Sequence, residues 1–246
     1  MLISIIIPVF NEETLVSELL LRVANAGLGE GLEKEIVIVD DGSTDGTRVA
    51  VEKFVHRHPE LRITHIVQEK NRGKGAAVRT GFSRANGEVF IIQDADLEYD
   101  PNEIRDVIRP IVAGDFKIVY GSRILREKAM GNAGIMGFVK GKHPHSYLLA
   151  YLGGVAITKW TNLVTGSSLT DEPTCYKAFH RSVIDGITID CDDFSWEPEV
   201  TVKLLNEGHA IHEIPVSYHP RKNDEGKKIN WKHGVGALLT IWKYRK

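Results

Sequence analysis

Three carboxylates at alternate positions, Asp94, Asp96 and Glu98, follow directly on the apolar run Val89–Ile92 in the stretch VFIIQDADLEYDP. Carboxylates this close repel one another and need a compensating charge. A hard divalent cation supplies it: Mg²⁺ or Mn²⁺ held by one or two carboxylates completes its shell with phosphate oxygens and water. A plainer reading makes the stretch a polar strand-to-helix turn, with Asp100 capping a helix that has Pro101 at its first position. The cap accounts for Asp100 but leaves Asp94 and Asp96 unexplained, so Asp94, Asp96 and Glu98 read as metal-binding acids. Two further tips carry similar chemistry. Pro8 and Glu12 follow the apolar run at the N-terminus, and Asp40 and Asp41 follow Ile36–Val39. Asn71-Arg72-Gly73-Lys74-Gly75 is a basic, Gly-rich turn. Its Lys74 is either a phosphate contact or a solvated lysine at a helix start.

The elements that must position these groups alternate. Short β-branched runs at 2–9, 36–39, 62–67, 89–92 and 117–120 read as strands. Helical spacing follows each of the first four: after Asn11 as a cap, with Glu12 and Glu13 in the first turn; then to about His56, over 76–85 and over 101–113. Strands alternating with helices predict a mostly parallel sheet with helices on both faces. Ligands bind such sheets in the crevice outside the carboxyl ends of the strands, where all of these acids fall. After Arg123 the pattern changes. Residues 124–146 read as a long loop, 147–164 as an apolar helix, 174–179 as a strand, 199–206 as a helix and 209–216 as a strand.

The 246 residues suit one large α/β domain. A formal net charge of -2 argues against a general nucleic-acid binder. Cys175 and Cys191 have no zinc-type or CxxC spacing, which predicts a reduced, cytoplasmic setting. The N-terminal apolar run reads as a buried strand instead of a signal peptide, and no run reaches the ~20 apolar residues of a membrane span. The first strand-to-helix turn lacks GxGxxG and no GxxxxGK[ST] loop occurs, which disfavours a dehydrogenase or a P-loop enzyme. A carboxylate can accept from a nucleobase or a ribose hydroxyl, so the inferred ligand is a nucleotide with at least two phosphates.

In order and spacing, SIIIPVFNEE, IVDDGSTDGT, EKNRGKGAAVRTGF, VFIIQDADLEYDP and VYGSR resemble the family 2 glycosyltransferases of GT-A fold, on the branch of the dolichyl-phosphate mannose and glucose synthases. The resemblance implies an inverting transfer of a hexose from a nucleoside-diphosphate sugar, UDP- or GDP-linked, assisted by Mg²⁺ or Mn²⁺. It also implies roles for single residues. Pro8 and Glu12 shape the nucleoside pocket, Asp40 faces the base and Asp41 the ribose. Asp94 lies near ribose and metal, Asp96 holds the metal on the diphosphate, and Arg123 neutralises phosphate charge. The chain then divides into a nucleotide-sugar half (1–123), an acceptor half (124–220) and a basic amphipathic segment (221–246) within a single catalytic domain.

On the acceptor side, Asp171-Glu172-Pro173-Thr174 leaves two readings. A sugar-hydroxyl acceptor needs a general base, Asp171 or Glu172; a polyprenyl phosphate does not, being already ionised at neutral pH. A capped turn is the alternative for both acids. Trp196 reads either as a ring under the sugar or as a buried anchor. Arg221 and Lys227 resemble the basic patch that contacts acceptor and donor phosphates, although R-K-N-D-E-G-K-K lacks the usual serine. Trp231, Val235, Leu238, Leu239 and Trp242 share one helical face flanked by basic residues. That face either lies in a membrane interface, making the protein peripheral on the inner membrane face, or packs on the domain. Other classes stay open: a nucleotidyltransferase, which would release pyrophosphate, or a silent nucleotide-sugar sensor.

Overall fold

The computed structural model describes residues 1–131, 144–221 and 231–246. Lys227, with Lys222 and Lys228, lies outside them, as does the side chain of Trp231. The first half runs β1 (Leu2–Val9), α1 (Val16–Asn25), β2 (Glu33–Asp40), α2 (Thr47–Arg57), β3 (Ile63–Val67), α3 (Lys74–Arg84) and β4 (Val89–Ile92). A 3₁₀ turn (Pro101–Glu103) then leads into α4 (Ile104–Val112), β5 (Ile118–Ser122) and α5 (Arg123–Ala129). The second half has α6 (Pro144–Thr165), β6 (Lys177–His180), α7 (Arg181–Ile184), α8 (Trp196–Asn206), β7 (His212–Pro215) and α9 (Trp231–Tyr244).

All seven strands join in one sheet of order β3-β2-β1-β4-β6-β5-β7. The pairs among β1 to β4 are parallel, as is β5 with β7; β6 alone runs antiparallel, between β4 and β5. Side chains alternate across a strand. Ile6 meets Gly81 of α3 on one side, while Ile5 and Ile7 on the other are equally buried, so both faces are covered. This explains why the central strands read as unbroken apolar runs and not as alternating ones. Parallel register brings Val9 beside Asp40 and Ile6 beside Ile92, which delivers the acidic tips of β1, β2 and β4 to one edge. Because β6 is reversed, the loop that precedes it, 170–176, arrives at the same edge.

Several local expectations hold. Asp100 accepts a hydrogen bond from the Asn102 N–H with Pro101 next in line. Others are corrected. Asn11 does not cap α1, which begins at Val16; its backbone takes a left-handed φ of 49°, and its side-chain oxygen accepts from the Thr44 N–H. Glu12 and Glu13 therefore precede the helix. Glu13 instead accepts from the Gly46 N–H at the start of α2, where the helix dipole favours a carboxylate. Part of the expected loop at 124–146 is α5, capped by the Ser122 hydroxyl accepting from the Leu125 N–H.

The Gly73–Gly75 turn has a packing reason. Gly73 sits at a φ of 102°, and α3 begins one residue later, pressed onto the 191–193 backbone. A Cβ at Gly75 would overlap the Cys191 carbonyl and come within 2.9 Å of the Trp196 side chain. Gly75→Ala is accordingly expected to lower stability by about 1–3 kcal/mol in urea unfolding. Gly27→Ala, where a Cβ would meet nothing within 4 Å, should be neutral or stabilising by up to about 1 kcal/mol.

Candidate active site

The strand tips wall a pocket of about 320 Å³. Pro8 and Glu12 come from the end of β1, Asp41 from β2, Gly73 and Lys74 from the start of α3, and Asp94, Asp96 and Glu98 from the loop after β4. The second half contributes Phe194, Tyr218, Arg221 and His233. Asp40 is not on the wall. It is fully buried, and its carboxylate accepts from the Ser43 N–H at 2.8 Å, tying off the turn beneath α2. Strand alternation puts the next residue, Asp41, on the pocket side. Asp41 accepts from the N–H groups of Arg72 and Gly73 at 2.8 and 2.7 Å. Burial pushes its carboxyl up, against the pull of those two amides. An ionised carboxylate has about four acceptor sites, so Asp41 keeps capacity for a ligand.

Besides Asp41, five carboxylates gather around the wall: Glu12, Asp94, Asp96, Glu98 and Glu197. Two cations among the described residues meet them. Arg221 makes a two-pronged pair with Glu12 at 3.0 and 3.1 Å and stands 3.4 Å from Asp96. Lys74 bridges Asp94 at 2.9 Å and Glu197 at 2.7 Å. Glu98 accepts from the Tyr218 hydroxyl and from the Arg221 N–H, both at 2.8 Å, so it fastens the 218–221 segment onto the β4 loop. Asp96 is the least compensated. Burial, then the neighbouring charges of Asp94 and Glu98, push its carboxyl up to about 7 against the opposing pull of Arg221. Among the described residues no three acids converge as a ready-made metal cage. This suits Mg²⁺ or Mn²⁺, which take one or two carboxylates and fill the shell with phosphate and water. Asp96 and Asp94 have the oxygen chemistry and the excess negative charge for that; Glu98 is already engaged in the latch.

Arg123 and Asp171 lie together beside the pocket but not on its wall. The Asp171 carboxylate accepts three hydrogen bonds from Arg123, from its backbone N–H at 2.9 Å and from Nε and an Nη at 2.7 Å each. Burial would depress the Arg123 guanidinium, but Asp171 holds it well above its ordinary value. The guanidinium also lies 5.0 Å from the centre of the Tyr218 ring, so this buried pair props the pocket wall from behind. Glu172 is wholly buried, 3.0 Å from the Thr201 hydroxyl and 3.7 Å from Lys177. Neither acid stands ready as a general base.

Trp196 is fully buried, an anchor at the start of α8 and not a platform under a sugar. The aromatics that do reach the pocket are Phe10, Phe194 and Tyr218, with the Phe194 ring 4.9 Å from that of His233. Sequence reasoning passed over Phe194, Tyr218, His233 and Glu197. Glu197 carried a faint signal, an acid in the first turn of a helix, but its partner Lys74 is 123 positions away. His233 had none.

The family model described as glycosyl transferase family 2 matches residues 4–187. The chain belongs to that family. Curated relatives include a dolichol-phosphate mannosyltransferase of Pyrococcus furiosus, 29% identical over 92% of this chain and 59% of its own length. An undecaprenyl-phosphate 4-deoxy-4-formamido-L-arabinose transferase of Shewanella sediminis is 27% identical over 97% of this chain and 64% of its own. The chain thus spans under two thirds of the length of these family 2 relatives. Among solved structures, glucosyl-3-phosphoglycerate synthase of Mycobacterium tuberculosis superposes with a TM-score of 0.71 at 15% identity, covering 98% of this chain and 79% of the other. The fold is therefore the GT-A fold, a mixed, mostly parallel sheet with helices on both faces.

The raised Asp96 carboxyl fixes the sign of a pH effect. Its ordinary value is 3.8 and its folded value about 7. Between these the folded protein holds a proton that the unfolded chain has lost, so this group's contribution to stability falls as pH rises through that window. Asp96→Asn should remove that slope. In chelator-treated protein the variant is expected to gain stability over wild type on the order of 2 kcal/mol at pH 8 and almost nothing at pH 4, read by denaturant unfolding.

Proposed function

We propose that this chain is an inverting, metal-dependent glycosyltransferase that moves a hexose from a nucleoside-diphosphate sugar to a polyprenyl phosphate. The observation that carries the reading is the acid-rich pocket at the tips of β1, β2 and β4, where Asp96 remains undercompensated. Asp96 and Asp94 would hold the divalent ion. When bound, that ion supplies positive charge where the departing diphosphate gains negative charge. The chain's own residues do the remaining work. Pro8 and Glu12 shape the nucleoside pocket, and Asp41 accepts from the base or ribose. Arg221 directs its guanidinium charge toward the phosphates, and Lys227 would add to it. Charge placed beforehand stabilises the transition state more than the ground state, which is how it accelerates the step.

The acceptor follows from the second half. A hydroxyl acceptor needs a base, and Asp171 is committed to Arg123 while Glu172, with one oxygen unpartnered, is wholly buried. A phosphate monoester needs none. The names of the Pyrococcus and Shewanella relatives, both lipid-phosphate sugar transferases, point the same way. The manganese and UDP in one of the M. tuberculosis structures support a divalent ion and a nucleotide donor. Incubation with Mn²⁺, a panel of UDP- and GDP-sugars and a short polyprenyl phosphate is expected to give a glycolipid with one donor. Asp96→Ala should reduce that product about 10²–10³-fold, on the scale of losing a main electrostatic stabiliser. A product formed equally well by the variant would remove Asp96 from the mechanism.

The lipid acceptor also calls for contact with a membrane. α9 packs through Ala237 and Ile241 and leaves Leu239 and Trp242 at 64% and 49% exposure, with Leu163 of neighbouring α6 at 75%. Lys243, Arg245 and Lys246 flank this patch. No helix among the described residues is long and apolar enough to cross a bilayer, so the contact would be peripheral, with the apolar patch in the interface and the cations at the headgroups. Leu239→Asp with Leu163→Asp, at the two most exposed positions of the patch, should weaken sedimentation with anionic vesicles about tenfold or more and leave thermal unfolding of the protein nearly unchanged.

A further inference from the structure

Lys74 reads in sequence as a phosphate contact, yet its ammonium is already engaged. It sits between Asp94 and Glu197 at 2.9 and 2.7 Å, with its side chain only 11% exposed and its charge 5.7 Å from the centre of the Phe194 ring. Burial would lower this ammonium, but the two carboxylates hold it well above its ordinary value. The position is built. α3 starts at Lys74, the Ala76 N–H donates to the Asp192 carbonyl, and the bare α-carbon at Gly75 lets the turn press onto the Cys191 carbonyl. Glu197 lies in the first turn of α8, where the helix dipole favours its charge. The bridge thus ties a helix of the second half to an acid on the β4 loop.

We infer that Glu197 is a positioning residue that acts through Lys74 on Asp94, setting both the orientation and the charge available for a divalent ion. The inference rests on the proposed metal-dependent reaction. With one positive and two negative charges, the bridge is one unit negative overall. Neutralising Glu197 lets Lys74 cancel Asp94 alone, and the local charge falls to zero. Neutralising Lys74 leaves two negative charges. Neutralising both restores one. Attraction for a divalent ion must follow this order, because each unit of charge acts on it across a partly desolvated pocket.

The test uses Glu197→Gln, Lys74→Gln, the double variant and Glu197→Asp. Mn²⁺ binding is followed by electron paramagnetic resonance with UDP and, separately, GDP, and unfolding by circular dichroism. Glu197→Gln is expected to weaken Mn²⁺ about tenfold. Lys74→Gln should bind Mn²⁺ as tightly as wild type or more tightly. The double variant and Glu197→Asp should return to within about threefold of wild type. Glycolipid turnover should stay low in the double variant, because Asp94 has recovered the field but not its tether. The inference is overturned if Glu197→Gln binds Mn²⁺ like wild type, or if Lys74→Gln loses nucleotide-dependent Mn²⁺ binding, the result expected of a direct phosphate contact. Wild-type protein that failed to bind Mn²⁺ in the presence of UDP and of GDP would instead overturn the proposed reaction itself.

Discussion

Like charges forced together at the end of a parallel sheet are the constraint that shapes this molecule. The strands that bring Glu12, Asp94, Asp96 and Glu98 to one edge are held by their apolar side chains, which have no stake in where the acids end up. Burial strengthens the repulsion and also strengthens every compensating contact. Asp96 registers the imbalance by holding its proton to about 7. Asp94 is steadied by Lys74 of the same half, Glu12 and Glu98 by groups drawn from far along the chain. Arg221 pairs with Glu12 across 209 positions, and Tyr218 reaches Glu98 across 120. The second half of the chain thus supplies the partners of Glu12 and Glu98 in the first.

That exchange depends on one topological choice. β6 enters the sheet backwards between β4 and β5, so the loop before it returns to the edge where the acids lie. A seventh parallel strand would have sent residues 170–176 to the opposite end. The reversed strand places Asp171 beside Arg123 as β5 gives way to α5, and β7 lies next to β5 so that Tyr218 and Arg221 follow directly onto the pocket. The Arg123–Asp171 pair behaves as a buried ion pair should: three good hydrogen bonds offset the loss of water, and neither partner retains its charge for other work. Its effect on chemistry passes through the Tyr218 ring that it supports.

The first half of the fold was legible because its signals are local. Apolar runs of four to eight residues, a Gly-rich turn and a Pro after Asp100 each dictate structure within a few positions, and parallel order then places the tips together. Which acid of Asp40 and Asp41 faces the pocket required the strand register, since one step along β2 swaps the face. Asn11 misled because a cap residue followed by two glutamates is a sound helix start; the Thr44 N–H competed for its side chain and won. Glu197, Phe194 and His233 were illegible for a different reason. Their importance lies in partners brought together only by the tertiary fold, and no spacing in the sequence records such a meeting.

Family resemblance and geometry also answer different questions about the same side chains. Resemblance to the family's acceptor-side stretch made Asp171 a candidate base, and the basic, Gly-rich turn made Lys74 a candidate phosphate contact. Geometry gives both to structure: Asp171 to Arg123, and Lys74 to a bridge between two acids. The correction has a chemical consequence. Under the proposed reaction, a site that keeps these acceptor-side carboxylates paired would suit an acceptor that arrives already ionised, and would then have to manage the repulsion between that anion and the donor diphosphate. Arg221 on the pocket wall and a divalent ion on the acids would be the means available for that, since a neutral wall would leave two phosphates facing each other in a low dielectric. On that reading, the excess of carboxylates at the tips of β1, β2 and β4 and the pairing of Asp171 with Arg123 are two parts of one electrostatic arrangement.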